Sequence, residues 1–166
     1  MAGEAHRLAG VGDFEAERRA TASELERVIS IATIVAERLL GDGVAIAPDL
    51  AEILVAHAPC DGDVVKVFPG GHAIVIDGGV GPFLLHFGLE TVELHGEGLR
   101  PCVAEGDRVA AGAPIVEIQA AALRERGINL VSPIVGISAQ AVRLLAPAGS
   151  RITPGEPLLE LLASTA

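Results

Sequence analysis

The chain has 166 residues, of which 50% are hydrophobic and 2% aromatic, and its formal net charge at pH 7 is −10. This length is sufficient for one domain whose core needs neither disulfides nor a metal. The negative charge would repel phosphate backbones and anionic lipid headgroups, so we predict that neither nucleic acid nor a membrane surface is a partner.

The N-terminal region divides into an arm and the start of a domain. Residues 1–20 are rich in Ala, Gly and charge, which predicts a mobile arm, and residues 21–166 are expected to form a single domain. Apolar residues recur at spacings of three and four across 21–40, which indicates an amphipathic helix, although the β-branched segment VISIATIV favours a strand. No signal-peptide pattern or membrane-spanning apolar run occurs, so we expect a cytoplasmic protein without direct membrane insertion.

The sequence changes character after Gly41. Short apolar runs alternate with Gly, Pro and Asp at roughly ten-residue intervals. This rhythm predicts an all-β fold, an antiparallel β-sandwich or barrel-sandwich with few short helices. The helix expected within it covers residues 120–126 and ends before Gly127.

Two segments of the chain resemble each other. Residues 105–118 (EGDRVAAGAPIVEI) and 148–161 (AGSRITPGEPLLEL) share Gly, Arg, Gly, Pro and Glu at identical offsets. Common turn chemistry could produce part of this likeness, because Gly and Pro recur in many turns. A duplicated strand–turn–strand motif explains all of it and is our prediction.

Two of the five histidines flank apolar segments that read as neighbouring strands. His72 precedes one segment, His86 ends the next, and the turn Asp77–Gly81 between them predicts a β-hairpin. Pairing around this turn places His72 opposite residue 86, so two imidazoles would lie side by side. Neighbouring imidazoles resist being charged together, and a neutral ring can bind a metal or attack phosphorus.

Other reactive groups give weaker patterns. A zinc site needs three or four ligands, and neither His-x-His nor Cys-x-x-Cys accompanies the two histidines. We therefore expect no metal cofactor, with adventitious zinc at His72 and His86 as an alternative. Cys60 and Cys102 are expected to be free thiols, and Lys66 is the single lysine.

Several stretches together resemble one protein family. They are GDGVAIAP from residue 41, APCDG from 58, HAIVI from 72, LHFGLETVELHGEG from 85 and EGDRV from 105. These resemble the glucose-type enzyme IIA component of the bacterial phosphoenolpyruvate-dependent sugar phosphotransferase system. The resemblance covers residues 34–162 and is most specific in the block from residue 85 to 98.

The resemblance implies a fold and a phosphoryl-transfer activity. The fold it implies is an antiparallel β-sandwich with a duplicated motif. His86 would accept a phosphoryl group on Nε2 from the phosphocarrier protein HPr and pass it to a cysteine of a IIB domain. His72 would steady the phosphoryl oxygens, and the Gly88 carbonyl would accept the Nδ1–H of His86. The resemblance implies no bound cofactor, and the modified form of the protein would be a transient phosphohistidine.

The resemblance also implies a partner-binding surface beside the histidines. Acidic residues would rim an apolar patch that the partners cover, and the protein would approach the membrane only through its permease partner. The chain departs from the family where ASELERVISIAT lacks the usual Pro residues, and where Gly70 replaces a frequent Thr. The patch would comprise Phe87, Phe68, Ile34, Val35 and Val92, and the rim Glu90 and Glu93.

Three alternative functions remain open from the sequence. A regulatory protein of the same family would use the phosphorylatable histidine to signal sugar supply by binding target proteins. A lysostaphin-type zinc peptidase would need the His-x-His ligand pair that the chain lacks. A biotinyl- or lipoyl-carrier domain would need a modified lysine at a hairpin tip, whereas Lys66 lies in a strand pattern.

Overall fold

The computed structural model describes residues 5–9, 28–30, 43–137 and 141–162. These residues form antiparallel strands, one α-helix and two short 3-10 segments. None of the helices in these ranges has the length and apolar character needed to cross a membrane. The elements are β1 (Ala5–Ala9), β2 (Val28–Ser30), β3 (Gly43–Ile46), β4 (Leu54–His57), β5 (Gly62–Val67), β6 (Ala73–Asp77), β7 (Pro82–His86), β8 (Leu99–Pro101), β9 (Arg108–Val109), β10 (Pro114–Ile118), α1 (Ala120–Glu125), β11 (Ser132–Gly136), β12 (Ala141–Leu144) and β13 (Pro157–Leu162), with 3-10 segments at Pro69–Gly71 and Thr91–Leu94.

The strands form three sheets around one main core. A seven-stranded sheet has the order β2-β3-β11-β7-β6-β5-β9, and two three-stranded sheets have the orders β1-β13-β12 and β4-β10-β8. Each sheet contributes fully buried side chains to the main core, for example Phe83, Ile115 and Leu158. The predicted all-β antiparallel sandwich is therefore confirmed.

A second, smaller apolar cluster covers the opposite face of the seven-stranded sheet. Successive side chains along a strand point to opposite faces, so Leu84 and His86 share one face and Phe83 and Leu85 share the other. Phe83 and Leu85 belong to the main core, whereas Leu84 belongs to the smaller cluster. The alternation therefore directs His86 away from the main core, and the smaller cluster comprises Ala45, Ala73, Val75, Leu84 and Val135.

The two similar sequence segments have the same turn geometry. In the first, Asp107 N–H donates to the Ala104 carbonyl and Ala113 N–H donates to the Ala110 carbonyl. The equivalent bonds in the second segment run from Ser150 to Pro147 and from Glu156 to Thr153. In each segment the strand then begins at the shared proline, Pro114 in β10 and Pro157 in β13. The matching bonds support the predicted duplication.

The helix α1 ends as its sequence indicates. Gly127 has a φ of +78°, a backbone conformation that glycine adopts at little cost after the last helical turn. Arg124 fixes the helix to the preceding loop by donating hydrogen bonds to the carbonyls of Pro48, Asp49 and Ala51. The predicted helix and its stop are confirmed.

The described parts of the N-terminal region are strands. Strand β1 falls within the segment predicted as an arm, and it pairs along β13; the remaining residues up to 20 lie outside the described ranges. Strand β2 pairs with β3, with Val28 opposite Ile46. The helix predicted across 21–40 is therefore wrong at Val28–Ser30, where the β-branched side chains and the free edge of β3 favour a strand.

Candidate functional site: two imidazoles beside a hairpin

The β6–β7 hairpin places His86 at the end of β7. The turn lies where predicted, between Asp77 and Pro82, but the register pairs His86 with Ala73 rather than with His72. The predicted pairing was therefore wrong by one residue. In a regular strand, a shift of one would direct His72 to the face opposite His86.

A tight turn before β6 nevertheless brings the His72 ring to the side of His86. Residues Pro69–Gly71 form a 3-10 turn, and His72 follows with helical backbone angles of φ −70° and ψ −18°. His72 therefore leaves the strand alternation, and its ring lies with its centroid 5.4 Å from that of His86, at an interplanar angle of 60°. Phe68 flanks the pair, with its ring centroid 5.7 Å from His72.

Backbone carbonyls set the tautomer of both rings. His72 Nδ1 lies 2.9 Å from the Pro69 carbonyl oxygen, and His86 Nδ1 lies 2.5 Å from that of Gly88. A carbonyl oxygen only accepts hydrogen bonds, so each Nδ1 must carry the hydrogen. In its neutral form each ring therefore keeps a lone pair on Nε2, and the bond to Gly88 is the one that the family resemblance implied.

The environment of His86 favours the neutral ring. Burial lowers the pKa of His86 below its usual 6.5, the hydrogen bond to Gly88 opposes this shift, and the neighbouring His72 lowers the pKa further. His86 is partly exposed, whereas His72 is only 8% exposed. At neutral pH, His86 can therefore offer an unprotonated Nε2 at the surface.

The Gly88 carbonyl is held by a loop that admits only glycine. Gly88 has a φ of +80°, and a Cβ there would lie 2.6 Å from Thr91 Cγ2 and 3.0 Å from the Asn129 carbonyl oxygen. Gly88 N–H donates to Ser132 Oγ at 3.1 Å, and Ser132 Oγ donates in turn to the Leu130 carbonyl. Strand β11 thus fixes the group that orients the His86 ring.

Thr91 and Ser132 are supporting residues that the sequence analysis missed. Thr91 is fully buried, and its hydroxyl donates to the Phe87 carbonyl at 2.6 Å, directly before Gly88. The spacing could have indicated Thr91, because a threonine hydroxyl can donate to the backbone carbonyl four residues earlier, here that of Phe87. No local pattern indicates Ser132, because it approaches the loop from a strand that lies far away in sequence.

The residues of the predicted partner surface differ in their exposure. Phe68 is partly exposed, Val92 is 50% exposed, and Glu90 and Glu93 are exposed. Phe87 is only 1% exposed and belongs to the main core, so its assignment to this surface is wrong. The alternation along β7 is the reason, because Phe87 follows His86 and points to the opposite face. Ile34 and Val35 lie outside the described residues.

The remaining candidate groups do not join the histidine pair. Both cysteines are free, as predicted, and burial together with Asp61 and Asp77 raises the pKa of the Cys60 thiol to about 12. Lys66 lies within β5 and forms an ion pair with Glu105 at 2.9 Å. In the part of the chain that the structure describes, no group of three or more His, Cys, Asp or Glu residues is placed to hold a metal ion.

A family model matches most of the chain, including the residues of the site. A model of the phosphoenolpyruvate-dependent sugar phosphotransferase system EIIA 1 family matches residues 21–142, which include both histidines and Gly88. The chain belongs to this EIIA family. The matched segment also contains Thr91 and Ser132, so the family match extends over the groups that support the His86 ring.

Individual relatives are similar over part of their length. The glucoside-specific EIICBA component of Staphylococcus carnosus is 35% identical over 123 residues, which are 74% of this chain and 17% of that protein. The glucose-specific EIIA component of Bacillus cereus is 39% identical over 103 residues, 61% of either protein. The chain thus spans less than two thirds of the length of these relatives.

A solved structure has the same fold. Glucose permease IIA from Mycoplasma capricolum superposes with a TM-score of 0.73 at 25% identity, over 95% of this chain and 96% of that one. This likeness extends across the sheets that carry both histidines, so the hairpin and its preceding turn belong to a fold found in another IIA protein.

Proposed function

We propose that this EIIA-family chain accepts a phosphoryl group on Nε2 of His86 from the phosphocarrier protein HPr, and passes it to a cysteine of a IIB domain. The observation that carries the proposal is the hydrogen bond from His86 Nδ1 to Gly88, which leaves Nε2 as the nucleophile. Family membership supports the reaction class. The protein would act in the cytoplasm and reach the membrane through its permease partner.

The transfer conserves electrons and protons at His86. The Nε2 lone pair forms a bond to phosphorus while the bond from phosphorus to the donor histidine nitrogen breaks, and the donor nitrogen keeps that electron pair. The hydrogen stays on Nδ1, which keeps donating it to the Gly88 carbonyl, so His86 loses no proton. In the second step a IIB thiolate attacks phosphorus, the P–Nε2 bond breaks, and the neutral His86 ring returns.

His72 is proposed to stabilise the phosphorylated state. Its ring lies beside that of His86, and its Nδ1 is already committed to the Pro69 carbonyl. A phosphoryl group carries negative charge, which favours protonation of a neighbouring imidazole. Protonated His72 would then donate from Nε2 to a phosphoryl oxygen, and this charge stabilisation is the main contribution a protein makes to phosphoryl transfer.

The exposed residues of the predicted partner surface are suited to a protein partner. Phe68 and Val92 offer apolar area that a partner can cover, which would also exclude water from the phosphohistidine. Glu90 and Glu93 would meet basic residues on HPr, because complementary charge aligns the partners before transfer.

Phosphorylation in a reconstituted system tests the proposal. The protein is incubated with phosphoenolpyruvate, enzyme I and HPr, and peptide mass spectrometry then identifies the residue that gains the phosphoryl group. We expect His86, and we expect His86→Ala to abolish the gain while the control His57→Ala retains it. His72→Gln should accept the group but fail to donate it.

A second assay separates transport from regulation. Phosphorylated protein is added to a IIB domain, and appearance of phosphocysteine is measured. Transfer supports the transport function, whereas phosphorylation of His86 without transfer to any IIB domain of the source organism would favour the regulatory alternative. Absence of phosphate on His86 in the first assay would reject both.

A further inference from the structure

Two glycines face each other beside the turn that carries His72. Gly70 lies in this turn with a φ of +78°, and Gly96 lies in a later loop with a φ of +95°. A Cβ at Gly70 would be 2.5 Å from the Gly96 nitrogen, and a Cβ at Gly96 would be 2.9 Å from the Gly70 Cα. Neither glycine could gain a side chain unless one of the two backbones moved.

The next residue of the turn contacts the same segment of chain. A Cβ at Gly71 would lie 2.6 Å from Cγ and 2.8 Å from Cδ of Pro101. A proline ring has little freedom to move aside, so it limits how far the turn can shift. Gly70 and Gly71 therefore both rest against the segment 96–101.

This segment is itself anchored to the main body of the fold. Strand β8, which ends at Pro101, pairs with β10, and Cys102 N–H donates to the Ile115 carbonyl. Gln119 N–H donates to the Gly98 carbonyl at 2.8 Å, which joins the segment to the start of α1. The turn thus rests on a surface that two other elements hold in place.

The turn transmits its position directly to the His72 ring. Gly71 precedes His72, and Pro69 supplies the carbonyl that orients its Nδ1. The His72 carbonyl accepts a hydrogen bond from Phe87 N–H at 2.8 Å, which links it to the end of β7. A displacement of the Gly70–Gly71 backbone would therefore change the spacing between the two imidazoles.

We propose that Gly96 and Pro101 are positioning residues that set the distance from His72 to His86. Neither residue touches the reacting atoms; each acts on the turn that carries His72. This role rests on the proposed phosphoryl transfer and adds a specific structural requirement to it. A misplacement of about 1 Å can cost on the order of 100-fold in rate, so close contact at this turn has a large effect on transfer.

A set of alanine substitutions separates contact from backbone strain. Gly71→Ala adds a Cβ against Pro101 at a φ of +77°, whereas the control Gly127→Ala adds one at a φ of +78° with nothing within 4 Å. The double variant Gly71→Ala/Pro101→Ala removes Cγ and Cδ and leaves a contact of 3.4 Å to Cβ, which is ordinary. The single variant Pro101→Ala completes the double-mutant cycle.

The readouts are ring proximity and phosphoryl donation. In the wild type a nuclear Overhauser effect between the His72 and His86 ring protons should be visible, because the ring centroids are 5.4 Å apart. We expect Gly71→Ala to lose this signal and to donate to the IIB domain at least about 10-fold more slowly. Gly127→Ala should keep both, and the double variant should recover to the level of Pro101→Ala alone.

Several outcomes would overturn the proposal. A folded Gly71→Ala that keeps both the ring signal and the donation rate would overturn it, as would equal losses in Gly127→Ala. If Gly71→Ala does not fold, Pro101→Ala provides the test. We then expect a weaker ring signal and a donation rate lower by a factor on the order of 3. An unchanged ring signal and donation rate in Pro101→Ala would overturn the proposal. The ring signal needs no phosphoryl donor, so it remains informative even if wild-type protein proves unable to transfer phosphate.

Discussion

The buried hydroxyl of Thr91 offers a direct test of how the His86 loop is held. Thr91 is 0% exposed, and Oγ1 donates to the Phe87 carbonyl at 2.6 Å. Its methyl group faces Gly88, where an added Cβ would lie 2.6 Å from it, and the Gly88 carbonyl orients the His86 ring. Thr91→Val keeps the branched shape and the methyl contact while it removes the hydroxyl, so the substitution isolates this one hydrogen bond.

The expected cost follows from burial of the carbonyl that loses its donor. Removing one partner of a buried hydrogen bond costs about 1–3 kcal/mol, because the remaining group cannot reach water. For a chain of this size each 1 kcal/mol lowers the melting temperature by roughly 2–4 °C. Relaxation of the Phe87–Gly88 backbone should also loosen the bond to His86 Nδ1, so phosphoryl acceptance should slow.

Urea denaturation of wild type and Thr91→Val measures the free energy of unfolding, with acceptance from phosphorylated HPr as the functional assay. The control is Thr153→Val, which makes the same change at an exposed threonine and should shift stability by less than about 0.5 kcal/mol. The reasoning is refuted if Thr91→Val is as stable as Thr153→Val, since the hydroxyl would then contribute nothing to the loop.

The remaining predictions concern ionisation of the site and of the thiols. In the wild type, nuclear magnetic resonance titration of His86 should give a midpoint below 6.5, and His72→Gln should raise it, because His72 lowers the pKa of its neighbour; an unchanged or lower midpoint in the variant would contradict the coupling. Iodoacetamide at pH 8 should alkylate exposed Cys102 in the native protein and spare Cys60, whose pKa is about 12. Equal labelling of both cysteines before denaturation would contradict that burial.

Local sequence patterns were sufficient for much of the fold. The turn at Asp77–Gly81, the stop at Gly127 and the paired prolines that begin β10 and β13 all depend on residues with unusual backbone freedom or restriction. Such residues fix the backbone conformation within a few positions of themselves, so the turns and ends they form can be predicted without knowledge of the tertiary structure. The same patterns separated His72 and His86 from the other histidines.

Patterns that depend on distant partners were less reliable. Apolar spacing predicted a helix at Val28–Ser30, but the edge of β3 was available and a strand formed there. The family resemblance implied that Phe87 belongs to the surface patch, although strand alternation directs it into the core. Both errors concern which neighbour a segment meets, and this depends on how the sheets are assembled.

The sequence by itself determined that two histidines flank one hairpin, and its family resemblance implied that His86 is the ring that would attack phosphorus. The tertiary structure decided that the rings meet. Strand register alone would have directed them to opposite faces of the sheet. A turn held by Gly96 and Pro101 returns His72 to the side of His86. That contact joins segments distant in sequence, and only packing of the folded chain can bring them together.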